Sequence, residues 1–72
     1  MSVKLGLSER LKELRLRRNL RQEDVARELG ISTRSYCRYE YGEREPTASL
    51  LVRIADFYDV TLDDLVGRAD RP

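Results

Sequence analysis

Residues 25–38 read Val25-Ala26-Arg27-Glu28-Leu29-Gly30-Ile31-Ser32-Thr33-Arg34-Ser35-Tyr36-Cys37-Arg38, and this stretch decides the fold. Val25, Ala26 and Leu29 recur at helical spacing, and Gly30 stops the helix where a left-handed residue is needed. Ser32 is a strong N-cap and opens a second short helix, while Ile31 fills the angle between the two. Ala26 is small where the helices cross, and Gly30 turns tightly without strain at Cβ. The arrangement is two short helices joined by Leu29-Gly30-Ile31-Ser32, a helix-turn-helix layout.

Working outward, Leu7, Leu11 and Leu14 form one stripe, predicting a first helix over 7–18. Asn19 follows it, and asparagine tolerates the left-handed region. The second helix then spans about 22–29 and the third 33–40. Residues 41–46 read as a loop, with Pro46 and Thr47 announcing a fourth helix over 48–58. That helix places Leu51, Ile54, Ala55 and Tyr58 on one face. Asp59 leads out, and Thr61 caps a fifth helix ending at Gly67. Thr61 with Asp64 predicts a capping box, and Val60 with Leu65 a hydrophobic staple. No alternating strand pattern and no repeat appears, so the fold class is all-α. The domain is expected over 7–67, between an arm at 1–6 and a tail at 68–72.

The chain has 72 residues, 38% charged and 40% hydrophobic, with one cysteine and no histidine. A domain of this size buries roughly 60% of its unfolded surface, and neither disulfide nor metal staple supplements that. No membrane-length apolar run occurs, and no secretory segment follows Met1, so a cytoplasmic, nucleoid-associated location is expected. Without histidine, a metal-ligand cluster or a nucleophile–base spacing, an enzyme, a cofactor and a small-molecule site are not expected.

The net charge of +1 hides an asymmetry. Residues 1–38 hold ten Lys and Arg against five Asp and Glu, and residues 39–72 hold four against eight. One face is therefore expected to meet an anion. At about 100° per residue, Thr33, Arg34, Cys37, Arg38 and Tyr41 share one arc of the third helix. Ser35, Tyr36, Tyr39 and Glu40 share the other. No acid occurs between 29 and 39, so the first arc is free for a groove and the second packs on the protein.

Together, Leu20-Arg21-Gln22-Glu23-Asp24-Val25-Ala26, Leu29-Gly30-Ile31-Ser32, Arg38 to Pro46, Leu51 to Ala55 and Val60-Thr61-Leu62 resemble the Cro and lambda-repressor helix-turn-helix family, also called XRE-like. The resemblance covers about residues 6–67. It implies a five-helix, sequence-specific domain for double-stranded DNA, acting as a homodimer in transcriptional control, more often as a repressor. It also implies base reading by Thr33, Arg34 and Arg38, with Cys37 on the same arc. Forked guanidinium groups suit guanine O6 and N7 in the major groove. Gln22 corresponds to a phosphate anchor at a helix start, joined by Arg21, Ser32, Tyr41 and Arg44.

Three residues depart from the pattern. Arg21 replaces a capping Thr or Ser, so the second helix is expected to lose a cap and gain a cation. Leu16 lies opposite the core stripe of the first helix. Cys37 stands where a small polar residue is usual. Glu40 ends the third helix, where the dipole disfavours an anion, and resemblance pairs it with Arg15 in an ion pair. Phe57, Leu62 and Val66 are the expected dimer patch. The alternative reading is a protein-interaction module, such as an antitoxin or accessory subunit, with a protein partner on surplus apolar surface at Leu16, Phe57, Leu62 and Val66.

Overall fold

A computed structural model describes residues 6–66; residues 1–5 of the expected arm, the tail and Gly67 lie outside the described residues. Five helices follow in order: α1 (Leu7–Arg17), α2 (Gln22–Leu29), α3 (Thr33–Glu40), α4 (Ala48–Tyr58) and α5 (Leu62–Leu65). Among the described residues there is no strand.

Three helix ends share one device. Asn19, Gly30 and Asp59 take positive φ of 57°, 73° and 57°. Each is followed by an apolar residue whose N–H returns to a carbonyl five residues back: Leu20 to Arg15, Ile31 to Ala26 and Val60 to Ala55. This is the Schellman arrangement, in which the left-handed residue lets the chain reverse onto the last turn. Leu20, Ile31 and Val60 are all half-buried against the core, so each turn also anchors its helix. α1 ends at Arg17, one residue earlier than periodicity predicts, because this reversal begins there.

The starts use side chains. Ser32 Oγ accepts from Ser35 N–H at 3.1 Å, Thr47 Oγ1 from Leu50 N–H at 3.2 Å and Thr61 Oγ1 from Asp64 N–H at 3.0 Å. Caps of this kind are worth about 1 kcal/mol each. The expected Thr61–Asp64 capping box is only half made. The Asp64 carboxylate turns instead to Arg10, whose Nη2 donates to both its oxygens at 2.9 Å. At α2, Arg21 offers no side-chain acceptor, yet Asp24 Oδ2 accepts from Arg21 N–H at 2.9 Å. The cap expected to be lost is therefore half retained, supplied by the residue at the third helical position.

The core centres on Tyr36, Leu11, Leu29, Ile54, Leu65 and Val25, all fully buried. Burying a side chain such as Leu, Ile or Val contributes roughly 1.5–3 kcal/mol. On α4 the buried residue is Leu50 rather than Leu51, which is half-buried at the margin. The apolar arc is wide enough to take both, and helix placement centres it one residue earlier. α1 packs on α3 and α5, α2 on α3 and α4, and α4 on α5.

Arg18 closes the far end of the fold. Its Nη1 and Nη2 donate to Phe57 O at 3.2 Å and Tyr58 O at 2.9 Å, satisfying carbonyls that end α4. Its guanidinium carbon also lies 5.9 Å from the Phe57 ring and 5.5 Å from the Tyr58 ring. α4 carries no basic residue in its own last turn, so α1 supplies the cation favoured at a helix C-terminus.

Candidate nucleic-acid interface

α3 presents two unlike faces. Tyr36 and Glu40 are buried and Tyr39 is half-buried against the core, whereas Thr33 and Arg34 are exposed and Arg38 half-buried. Neither Arg34 nor Arg38 has a carboxylate partner among the described residues. Both guanidinium forks are thus free for a ligand. Cys37, between them, is half-buried, and its Sγ donates to Gln22 Oε1 at 3.1 Å. Its thiol is turned to the α2–α3 seam, a direction the helical arc alone did not specify.

Beneath this face is a polar network built on Glu40. Arg15 Nε and Nη2 donate to its two oxygens at 2.6 and 3.1 Å, joining α1 to α3. Tyr36 hydroxyl donates at 2.5 Å and Gln22 Nε2 at 3.2 Å. The Glu40 side chain is 1% exposed and that of Arg15 11%. Burial opposes the charged carboxylate most strongly, but the donors Arg15, Tyr36 and Gln22 together outweigh it. Glu40 is held below its ordinary pKa. Burial and the same carboxylate push the Tyr36 phenol up, so it remains a donor.

Beside the network a solvent-open cavity of about 410 Å³ is lined by Lys12, Arg15, Leu20, Arg21, Gln22, Glu40 and Tyr41. Arg15 is matched by Glu40, so the unmatched charge at the rim belongs to Lys12, which has no ion-pair partner among the described residues. Arg21 is shared with Glu23 and Asp24 at 3.2 Å each, and its hydrogen bonds hold Asp24 below the usual carboxylate range. The cation expected there is therefore partly neutralised. Gln22 opens α2 at the cavity's edge, where a helix N-terminus favours an anion.

The other singled-out residues, Tyr41, Ser32 and Arg44, are all exposed. Tyr41 is 65% exposed and lines the cavity. Ser32 and Arg44 are exposed, the former with its hydroxyl engaged in the α3 cap. Arg44 lies with Leu7, Ser8 and Tyr39 around a second, smaller hollow. Sequence reasoning missed Lys12. Its place three residues before Arg15 on α1 was the available signal, hidden because no apolar periodicity involves it.

The three residues expected as a dimer patch differ in state. Leu62 is 45% exposed and Val66 half-buried. Phe57 is half-buried, packed edge-on to Tyr58 at 4.8 Å with Arg18 above it. It belongs to the Arg18 closure more than to an open surface. Leu16 is 52% exposed. Among the described residues no group of His, Cys, Asp and Glu could hold a metal, and no helix is long and apolar enough to cross a membrane.

Comparison with known proteins bears on the family and the fold. A helix-turn-helix family profile matches residues 11–65. The chain is 45% identical over 64 residues to the cryptic phage CTXphi transcriptional repressor RstR of Vibrio cholerae, covering 89% of this chain and 57% of the relative. Like that one, the other first relatives are longer, and the chain spans only a little over half their length. Their names describe transcriptional regulators, not enzymes. A crystal structure of a transcriptional regulator from Listeria innocua superposes with a TM-score of 0.85 at 27% identity, covering 97% of this chain and 65% of that one. The P22 c2 repressor in complex with a synthetic operator has the same fold, with a TM-score of 0.82 at 22% identity over 89% of this chain and 97% of that one. The paired short helices, the Schellman turn at Gly30 and the matched span place this chain in the XRE-type helix-turn-helix family.

Proposed function

We propose that this domain is a sequence-specific reader of double-stranded DNA in a transcriptional regulator, acting as a repressor, with α3 in the major groove. The observation that carries the proposal is the pair of unmatched guanidinium groups, Arg34 and Arg38, on the outward arc of α3. They suit the O6 and N7 acceptors of guanine, and Thr33 at the helix start suits a base edge or a thymine methyl. Cys37 sits between them as a small side chain, steadied by Gln22.

Phosphates on either side fix the register. Gln22 and the start of α2 hold one at the cavity, with Arg21, Lys12 and Tyr41 around it, while Ser32 and Arg44 extend the contact along the backbone. The Arg15–Glu40 pair carries no net charge to the DNA. Its part is to lock α1 to α3 so that the reading arc and the phosphate cavity keep one geometry.

The functional unit is a homodimer on a two-fold operator. One short recognition helix reads about four base pairs, too few to select a site among roughly 10⁶ or more competing positions. Two copies joined through α5, by Leu62 and Val66 with Phe57 at the margin, would read half-sites about 34 Å apart. The acidic groups of α4 and α5, Asp56, Asp63 and Asp64, then lie away from the DNA.

The test is affinity for duplexes selected from random sequence, measured against salt. About five phosphate contacts give a slope near −4.5 in log K against log salt. Arg34→Ala with Arg38→Ala should erase the preference for the selected sequence over random duplex. A flat salt response, or unchanged preference in the double variant, would refute the proposal.

A further inference from the structure

We propose that Arg10 is the positioning residue for the dimer surface: by gripping the back of α5 it sets the angle at which Leu62 and Val66 meet a second copy of this chain. The inference rests on the dimer reading above.

α5 has four residues, far too few to be stable by themselves. Its direction must come from tertiary anchors. Leu65 is one, fully buried in the core. Arg10 on α1 is the other. Its Nη2 donates to both Asp64 oxygens at 2.9 Å, and its Nε reaches the Asp64 main-chain oxygen at 3.4 Å. The guanidinium thus grips side chain and backbone together. Nη1 is bound to Glu13 Oε1 at 2.6 Å, which fixes the plane of the fork from its own helix.

The placement of these anchors on α5 gives them a consequence. Leu62 and Val66 are four residues apart, on one side of the helix. Asp64 is two residues from each, on the opposite side. Leu65 points inward between the two sides. One buried leucine is a pivot about which so short a helix can roll; the Arg10 grip removes that freedom. The Arg10 side chain is 13% exposed and that of Asp64 37%, so water competes only partly for the pair. An interface between two copies is sensitive to the roll, because any error is doubled across a two-fold axis.

Sedimentation equilibrium of the full chain tests this, alongside binding to a duplex holding a single half-site. Asp64→Asn keeps the side chain's shape and should weaken self-association about tenfold, through coupling between the grip and the interface. Half-site affinity should stay at the wild-type value. Asp64→Glu should restore association, and Arg17→Gln, which breaks only the neighbouring Glu13–Arg17 pair, should leave it unchanged. Wild-type association in Asp64→Asn would overturn the inference and leave the dimer reading intact. An equal loss in both assays would also overturn it, as a plain folding defect. A wild-type chain that stays at 8.4 kDa to millimolar concentration would remove the dimer reading, and this inference with it.

Discussion

Replacing Glu40 with glutamine isolates the ion pair that joins α1 to α3. Glutamine keeps the shape of the side chain and can still accept from Tyr36, but it removes the charge that Arg15 was folded against. Arg15 then keeps its hydrogen bond to Leu20 O at 3.0 Å and can still donate to the neutral amide oxygen, but it has no counter-charge, and its side chain is only 11% exposed. Leaving one partner of a buried pair uncompensated costs about 3–5 kcal/mol. A chain of this length has a total stability of only about 4–11 kcal/mol. Glu40→Gln should therefore lose a large fraction of it. Urea unfolding at pH 7, followed by circular dichroism at 222 nm, reads the loss as a lower midpoint with an unchanged slope. The pH dependence supplies an independent check. Glu40 is held below its ordinary pKa, so its contribution is fully present above the unfolded value of about 4.3. It is lost as pH falls through the lower, folded value. The gap between wild type and Glu40→Gln should accordingly narrow on acidification below that range. A loss under about 0.5 kcal/mol at pH 7, the scale of an exposed pair, would refute the reasoning.

Further outcomes follow from other parts of the molecule. Arg34→Ala with Arg38→Ala should leave the unfolding free energy within about 0.5 kcal/mol of wild type, since neither side chain has an ion-pair partner among the described residues, while preference for the selected duplex disappears in a gel-shift titration. The Tyr58 hydroxyl is buried with no hydrogen-bond partner among the described residues. Tyr58→Phe should then be neutral or stabilising by up to about 1 kcal/mol, and a clear fall in melting temperature would contradict this. Asp59 holds a φ of 57° at the end of α4. Asp59→Ala should cost about 1 kcal/mol in the left-handed region and Asp59→Gly should not, both read by chemical denaturation.

What the sequence discloses depends on the range of the interaction. The α2–α3 unit was legible because Gly30, Ile31 and Ser32 act within a few residues of themselves. Asn19 and Asp59 end their helices by the same local rule. Where the partner lies far along the chain, local reasoning fails. Asp64 has the spacing of a capping-box acid, but Arg10, 54 residues away, offers two charged donors and wins. Arg18 closes α4 from 39 and 40 residues away, with no periodicity to announce it. Only family resemblance pairs Arg15 with Glu40, since a separation of 25 residues carries no local signal. On α4, the helical wheel put Leu51 on the buried face, whereas packing buries Leu50 and leaves Leu51 at the margin. At the interface, the arc of α3 sorted Tyr36 and Glu40 from Arg34 correctly. It could not say that the Cys37 thiol turns to Gln22, nor that Lys12 joins the cavity from another helix.

The central claim is that α3 reads guanine-bearing base pairs in the major groove at two symmetric half-sites. Methylation interference on a duplex selected from random sequence tests it most directly, because guanine N7 lies in the major groove and adenine N3 in the minor. The account predicts that N7-methylated guanines block binding in two clusters about one helical turn apart, and that the blocking guanines change when Arg34 or Arg38 is replaced. Interference from minor-groove adenines alone, or from no base at all, would contradict it.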